Sequence, residues 1–424
     1  MKLLFRLAAV CLCALSAAAQ LQITSFNSTG NLTTTGIYSN GVLTVERAED
    51  MAGPWLPAKN IFTAGGAAQV SLGATSETGF FRALAVDLSN GCEGFTNLVE
   101  SYNLLTTVAG AGGSPLAINK WRAEFEGGPA TNALLSRPHI AMTDGAGNIF
   151  IADKEAHAIR EVTPDGRIHT VAGINSPGDG PDESTPATAV ALNGPNGLWV
   201  KPDGTVYILD QFNGKVRRLD TNGMLSTLLT VPGGVGEARG LWVSDDETLA
   251  FVAATSLVKK WTPEEGVTDY ATGFVELGNL VVDPWGTLVV TDRRGHRVWR
   301  CFDDGSKTNI AGNGSTFGGG DGQLATETGL NEVRGVWFLP TGAYFLCTHR
   351  GSQVWYVDVD GSVHLFLNGS TSDTHAGDGT WFWNPTEFRV SENRAVTMDR
   401  EGNLLICEND SGYIRKVQFL RHGP

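Results

Sequence analysis

Positive charge is scarce in this chain: 31 lysines and arginines face 45 aspartates and glutamates across 424 residues, a formal net charge of −14. So acidic a chain has no electrostatic footprint for nucleic acid, which is set aside as a partner. Cysteine is equally sparse at six, and Cys11 and Cys13 fall in the first apolar run. Of the rest, Cys92, Cys301, Cys347 and Cys407 permit three pairings; Cys347 and Cys407 recur at one place in adjacent repeats, about 10 Å apart and too far for a disulfide. Buried free thiols are expected. No stretch beyond the N-terminal run approaches the roughly 18 apolar residues of a membrane span, so no insertion of the mature chain is expected. GxSxG, P-loop and HExxH motifs are missing, and the eight histidines show neither HxxxH nor HxH spacing. These absences remove the usual preorganised nucleophile, phosphate and zinc sites.

What is present is repetition. The stretch GNIFIADKEAHAIREVTPDGRIHTVAG (147–173) alternates apolar and polar residues through NIFIAD and HAIREV, turns at TPDG and returns through RIHTVAG. That is an antiparallel meander with Asp-Gly supplying the hairpin turn. Its second run recurs as TVYILD (205–210), TLAFVA (248–253), TLVVTD (287–292), AYFLCT (343–348) and NLLICE (403–408). Each copy follows a shorter apolar run and precedes a partner run. Four strands per unit, repeated radially, predict a β-propeller, because one such sheet buries both faces only by stacking on its neighbours. The last unit stops after YIRKVQF (413–419), and NLLTTVAG (103–110) stands alone near the other end. The expected fold is all-β, a six-bladed propeller over 102–424 closed by strand 103–110.

The phrases TVAG (107–110 and 170–173), EGGPATNALLSRPH (126–139), DGAGNIFIADKEAHAIREV (144–162) and ENDSGYIRKV (408–417) resemble the NHL repeat. The resemblance covers the chain from about Tyr102 to its end and implies a six-bladed propeller. It does not select a chemistry, since NHL propellers serve in binding and sensing while related six-bladed propellers include metal-dependent lactonases and lyases.

Residues 1–19, with Lys2 and Arg6 before an apolar core and Ala17-Ala18-Ala19 after it, read as a signal peptide. The expected location is therefore secreted or periplasmic. Residues 20–89 carry GVLTVERAED (41–50), Trp55 and GFFRALAV (79–86), a pattern that resembles small immunoglobulin- or fibronectin-like modules. A small β-sandwich-like unit is expected there, with Trp55 as core filler and support from the propeller. Residues 90–101 read as a linker.

Aligning the innermost strands places His139, Asn196, Arg239, Gly278 with Asn279, Arg334 and Arg394 around one opening. Arginine forks suit carboxylate or phosphate, so these residues are the candidate ligand-binding mouth. His157 and His349 join them as residues that follow second strands on the same face. The competing reading pairs each arginine with a local acid such as Glu237, Glu276, Glu332 or Glu392. Calcium at the acidic glycine loops SPGDGPDES (176–184), GGGDGQ (318–323) and THAGDG (374–379), and zinc at His139, His157, His296 and His349, are the metal candidates. Tight bends and scattered spacing outweigh both, and no cofactor is expected. Asp153, Asp210 and Asp292 are expected to cap turn amides, and Trp199, Trp242 and Trp337 to pack between blades. The reading is an exported, non-catalytic binder of a protein, peptide or glycan; a metal-dependent lactonase-like hydrolase or lyase is the alternative.

Overall fold

The computed structural model describes residues 20–73, 79–113 and 118–421; residues 1–19, read above as a signal peptide, lie outside them. From Pro138 onward the chain folds as antiparallel four-stranded sheets in meander order, as the alternating runs dictate. Their innermost strands are Pro138–Thr143, Pro195–Val200, Leu241–Val243, Leu277–Val282, Val333–Phe338 and Asn393–Met398. Each touches the next and the last touches the first. The sheets therefore surround an axis, and the protein is a β-propeller. Apolar residues of facing sheets, such as Ile151, Ile208 and Leu198, are fully buried between them. This removal of strand faces from water is the main stabilising term.

The sheet built on Asn393–Met398 contains strands from distant parts of the described chain. Leu104–Ala109 pairs with Tyr413–Val417, in the register Ala109 to Ile414 and Leu105 to Val417. Two sheets gain a further short strand from the connections between blades: Thr185–Pro186 beside Met224–Thr230, and Thr380–Trp381 beside Leu104–Ala109. These additions cover backbone edges that would otherwise offer unpaired donors.

Residues before Ser89 form two three-stranded sheets. Leu32, Leu43, Val45 and Val70 make their core. Trp55 does not fill it: the indole is half-exposed and Arg82 lies 4.7 Å over its ring. It stands just before the strand Leu56–Thr63, following Pro54, where it faces a neighbouring cation rather than the interior. Residues 90–101 are not an open linker either, since Cys92–Ser101 is an α-helix whose Phe95, Leu98 and Val99 are buried against Tyr356, Phe366 and Phe382. Cys92 is exposed at the start of that helix, unlike the three buried thiols Cys301, Cys347 and Cys407. Phe62 stacks on Phe419 at 4.3 Å and Asn60 donates to the Ser101 carbonyl at 2.9 Å, which ties the N-terminal sheets to the propeller.

Candidate functional site: the arginine mouth

Three innermost strands share one short phrase: Asn196-Gly-Leu-Trp199, Arg239-Gly-Leu-Trp242 and Arg334-Gly-Val-Trp337. The structure gives each position its task. The first residue lies at a register shift, between Pro195 and Gly197 in one sheet and between Val333 and Gly335 in another. His139, Asn279 and Arg394 occupy the same kind of irregularity in their sheets. A bulge re-aims the side chain it carries, and here it does so at one end of the axis. The glycine that follows is needed for close approach: a Cβ on Gly197 would sit 2.3 Å from the Arg239 carbonyl oxygen, and one on Gly335 would sit 2.7 Å from Cys347 Sγ.

Arg239, Arg334 and Arg394 are almost wholly buried there. Burial, followed by mutual repulsion among them, lowers the pKa of Arg239 strongly and that of Arg394 to about 9. Their partners are incomplete. Arg334 Nη2 meets Glu332 at 2.5 Å, Arg394 lies 3.8 Å from Asp410, and among the described residues Arg239 reaches only the Glu237 backbone carbonyl at 3.3 Å. Among the described residues, Nε and Nη1 of Arg239 and of Arg334, and Nε of Arg394, are buried without an acceptor. His139 Nδ1, His349 Nδ1 and Asn196 Oδ1 are similarly unmatched. Burial and then the surrounding arginines drive the pKa of His139 and of His349 far down, so both imidazoles are neutral.

Around these groups runs an outer circle that the sequence alignment did not bring together. Arg137 donates to Asp410 at 3.0 Å and lies 3.8 Å from Glu155. Arg294 bridges Glu276 at 3.4 Å and Glu332 at 3.2 Å, while Arg293 also pairs with Glu276. Arg350 stands 4.0 Å from Glu332 and 3.9 Å from Glu392. The pairing of each arginine with a local acid is thus realised for Arg334 but not for Arg239. Of these residues, Arg293, Arg294, Arg350 and Asp410 sit one or two positions beyond the second strands, in Asp-Arg-Arg-Gly (292–295), Thr-His-Arg-Gly (348–351) and Glu-Asn-Asp-Ser (408–411). Aligning those turns would have found them. Arg137, Glu332 and Glu392 adopt left-handed φ values of 58°, 54° and 48°, which non-glycine residues rarely hold.

His349, Glu392 and Asp410 each offer a ligand atom within 4.8 Å of the others. Their negative charge is already shared with Arg350, Arg394 and Arg137, which disfavours a cation. His157 does not join the mouth. It accepts the Gly194 N–H at Nδ1 over 3.1 Å, and its charged neighbours are Glu155, Asp153 and Lys154. His296 plays the same part, accepting from Glu332 N–H at 3.2 Å. Asn279 is buried with its Oδ1 spent on the Leu280 N–H at 2.8 Å.

Two of the three acidic glycine loops are fastened by arginines, while Asp321 of the third accepts the Leu365 N–H at 2.7 Å. Arg217 donates to the Gly180 and Pro181 carbonyls and pairs with Asp179, Asp182 and the buried Asp210. Arg415 likewise holds Ala376, Asp378 and the buried Glu408. Asp153, Asp210 and Asp292 accept the N–H groups of Ser136, Asn193 and Val275, the turn-capping task expected of them.

No family model matches the chain. In sequence, a segment of 79 residues is 37% identical to mouse Teneurin-3, covering 16% of this chain and 3% of that protein. The chain thus spans a small fraction of the curated relative it matches. Among solved structures, it resembles a Bacteroides thetaiotaomicron protein of unknown function with a TM-score of 0.58 and 13% identity, covering 94% of this chain and 98% of that one. An auxiliary nutrient binding protein from Bacteroides ovatus gives a TM-score of 0.53 at 12% identity, covering 92% and 94%. A streptogramin B lyase gives 0.48 at 13%, covering 76% and 99%. At such identities the likeness is one of fold.

Proposed function

We propose that the protein is an exported, non-catalytic propeller that binds a protein, peptide or glycan ligand on its loop-rich face, seating an acidic group of that ligand in the arginine mouth. The observation that carries this reading is the set of buried guanidinium N–H groups on Arg239, Arg334 and Arg394 without acceptors. A buried donor left unmatched costs about 1–3 kcal/mol, and an anionic oxygen at the opening satisfies several at once. At its innermost level the mouth sets three guanidiniums, Arg239, Arg334 and Arg394, against Glu332 and Asp410, an excess of positive charge that favours an anion. The nutrient-binding name of the Bacteroides ovatus structure accords with a binding propeller but names no ligand for this chain.

Calorimetric titration with galacturonate and with inorganic sulfate tests the reading. Arg334→Ala and Arg394→Ala are expected to weaken binding about tenfold or more, with the difference shrinking at high salt. Unchanged binding in both variants would remove the mouth as the site.

A second reading, a metal-dependent hydrolase or lyase, rests on the approach of His349, Glu392 and Asp410. Elemental analysis of the purified protein decides it: near-stoichiometric calcium or zinc supports it, and metal-free protein sinks it.

A further inference from the structure

The innermost strands have a second end. Three residues beyond Asn196, Arg239 and Arg334 come Trp199, Trp242 and Trp337, each half-buried. Trp199 lies 6.0 Å from Trp242, the next strand round, but also 6.2 Å from Trp337, which belongs to the sheet three strands away around the axis. Rings from opposite sides of a propeller meet only on the axis, so the indoles stopper the channel. The sequence reading of these tryptophans as packing between adjacent blades accounts for the first contact and not for the second.

Beneath the stopper lies a cavity of about 490 Å³, within the usual range for a small-molecule site. Its roof is Trp199 and Trp337 with Met142, Phe338 and Met398 at the strand ends. Asn60, Ile61 and Phe62 of the N-terminal sheets form one wall, so the cavity lies where two parts of the chain meet. The rim is polar and carries both signs: Lys201 and Arg400 alternate with Asp245, Asp399 and Glu401. Part of that charge is already matched, since Lys201 Nζ donates to the Asp245 backbone carbonyl at 2.7 Å and Lys416 lies 3.8 Å from Asp399. Asn60 is 2% exposed; its Nδ2 is used on Ser101, and among the described residues its Oδ1 has no donor.

We infer that this cavity is a second binding site, separate from the arginine mouth, for a neutral carbohydrate of one or two rings. Indole faces receive the C–H face of a pyranose, as they receive other flat apolar surfaces. The rim carboxylates and the Asn60 oxygen are acceptors, which suits a ligand rich in hydroxyl donors. The rim sets two basic residues against three acidic ones, which offers an anion none of the clustered arginines of the other end. A purely apolar guest would leave the Asn60 oxygen unmatched, which carries the desolvation cost of a buried acceptor.

The test uses calorimetry and saturation-transfer NMR on the full mature chain with glucose, galactose, mannose, cellobiose and chitobiose. At least one sugar is expected to bind at one-to-one stoichiometry with an affinity indifferent to salt. Trp337→Ala should weaken it about tenfold or more. Because that change removes a stopper ring and can disturb the fold, Asp245→Ala and Arg400→Ala, both on exposed rim positions, provide the parallel measurement: each should weaken sugar binding with the unfolding temperature unchanged. Arg334→Ala should leave sugar binding intact, which separates this site from the anion site. Absence of binding by every sugar, or binding that none of Trp337→Ala, Asp245→Ala and Arg400→Ala alters, overturns the inference. Occupation of the cavity by anilinonaphthalene but by no sugar overturns the carbohydrate assignment.

Discussion

Glu392 concentrates the electrostatics of the mouth in one side chain. Burial, then a hydrogen bond shared with Asp410, lifts its pKa to about 7. Burial acts on Asp410 in the same direction, yet that hydrogen bond together with Arg394 and Arg137 holds its carboxyl below the usual value. The pair therefore keeps one proton, on Glu392, under mildly acidic conditions. The folded protein binds that proton more tightly than the unfolded chain, so the stabilising contribution is fully present below about 4.5 and is lost as pH rises through about 7. Glu408, raised by burial to about 7, has the same sign. His139 and His349, held neutral in the fold, act with the opposite sign up to the ordinary histidine range. The thermal unfolding midpoint should therefore fall from about pH 6.5 to pH 8, and Glu392→Gln should reduce that slope without abolishing it, because Glu408 still titrates. A slope unaltered by the substitution would mean that Glu392 titrates normally. Ionised Glu392 also adds negative charge beside Arg394, so galacturonate affinity should fall above neutral pH in the parent protein and stay level in Glu392→Gln.

Buried arginines fasten two of the long connections between blades. Arg160, Arg217 and Arg415 are fully buried, each pairs with the carboxylate ending the second strand of its own sheet, and each reaches into the loop that follows or precedes. Removing one partner of such a pair leaves an uncompensated charge, a loss of about 3–5 kcal/mol. Arg217→Ala should therefore shift urea unfolding by about that amount, and amide exchange should accelerate around Gly180 and Pro181, whose carbonyls it holds. A stability loss below about 1 kcal/mol, typical of an exposed pair, would contradict the assignment. The same contacts hold the carboxylates of two acidic glycine loops, where Asp179 answers Arg217 and Lys215 and Asp378 answers Arg415.

At the scale of the whole molecule, closure joins distant parts of the sequence. Leu104–Ala109 supplies the strand beside Tyr413–Val417, and Tyr102, just before it, packs its ring against Phe366, Phe382 and Phe419. A chain beginning at residue 111 loses both and leaves Tyr413–Val417 as an open edge. Such an edge pairs with other chains, so the truncated protein should aggregate and lose its single sharp unfolding transition. A monomeric, cooperatively unfolding product would show that the ring does not need that strand.

The fold class was legible because strand periodicity is local: alternating runs such as NIFIAD and HAIREV announce sheets, and their recurrence announces the stacking of sheets into a propeller. Part of the mouth was legible for the same reason, since Asn196, Arg239 and Arg334 occupy one place in a repeated phrase. Arg137, Arg294, Arg350 and Asp410 were not, because they lie outside the strands that define the repeat and each has a partner on a neighbouring blade. Trp55 and the helix Cys92–Ser101 escaped as well, their surroundings being set by residues far along the chain. Pattern along a chain records which face of a strand is buried. Which side chains meet across an axis depends on the bulges, the glycine-permitted approach of neighbouring strands and the circle they close, and those exist only once the sheets have packed.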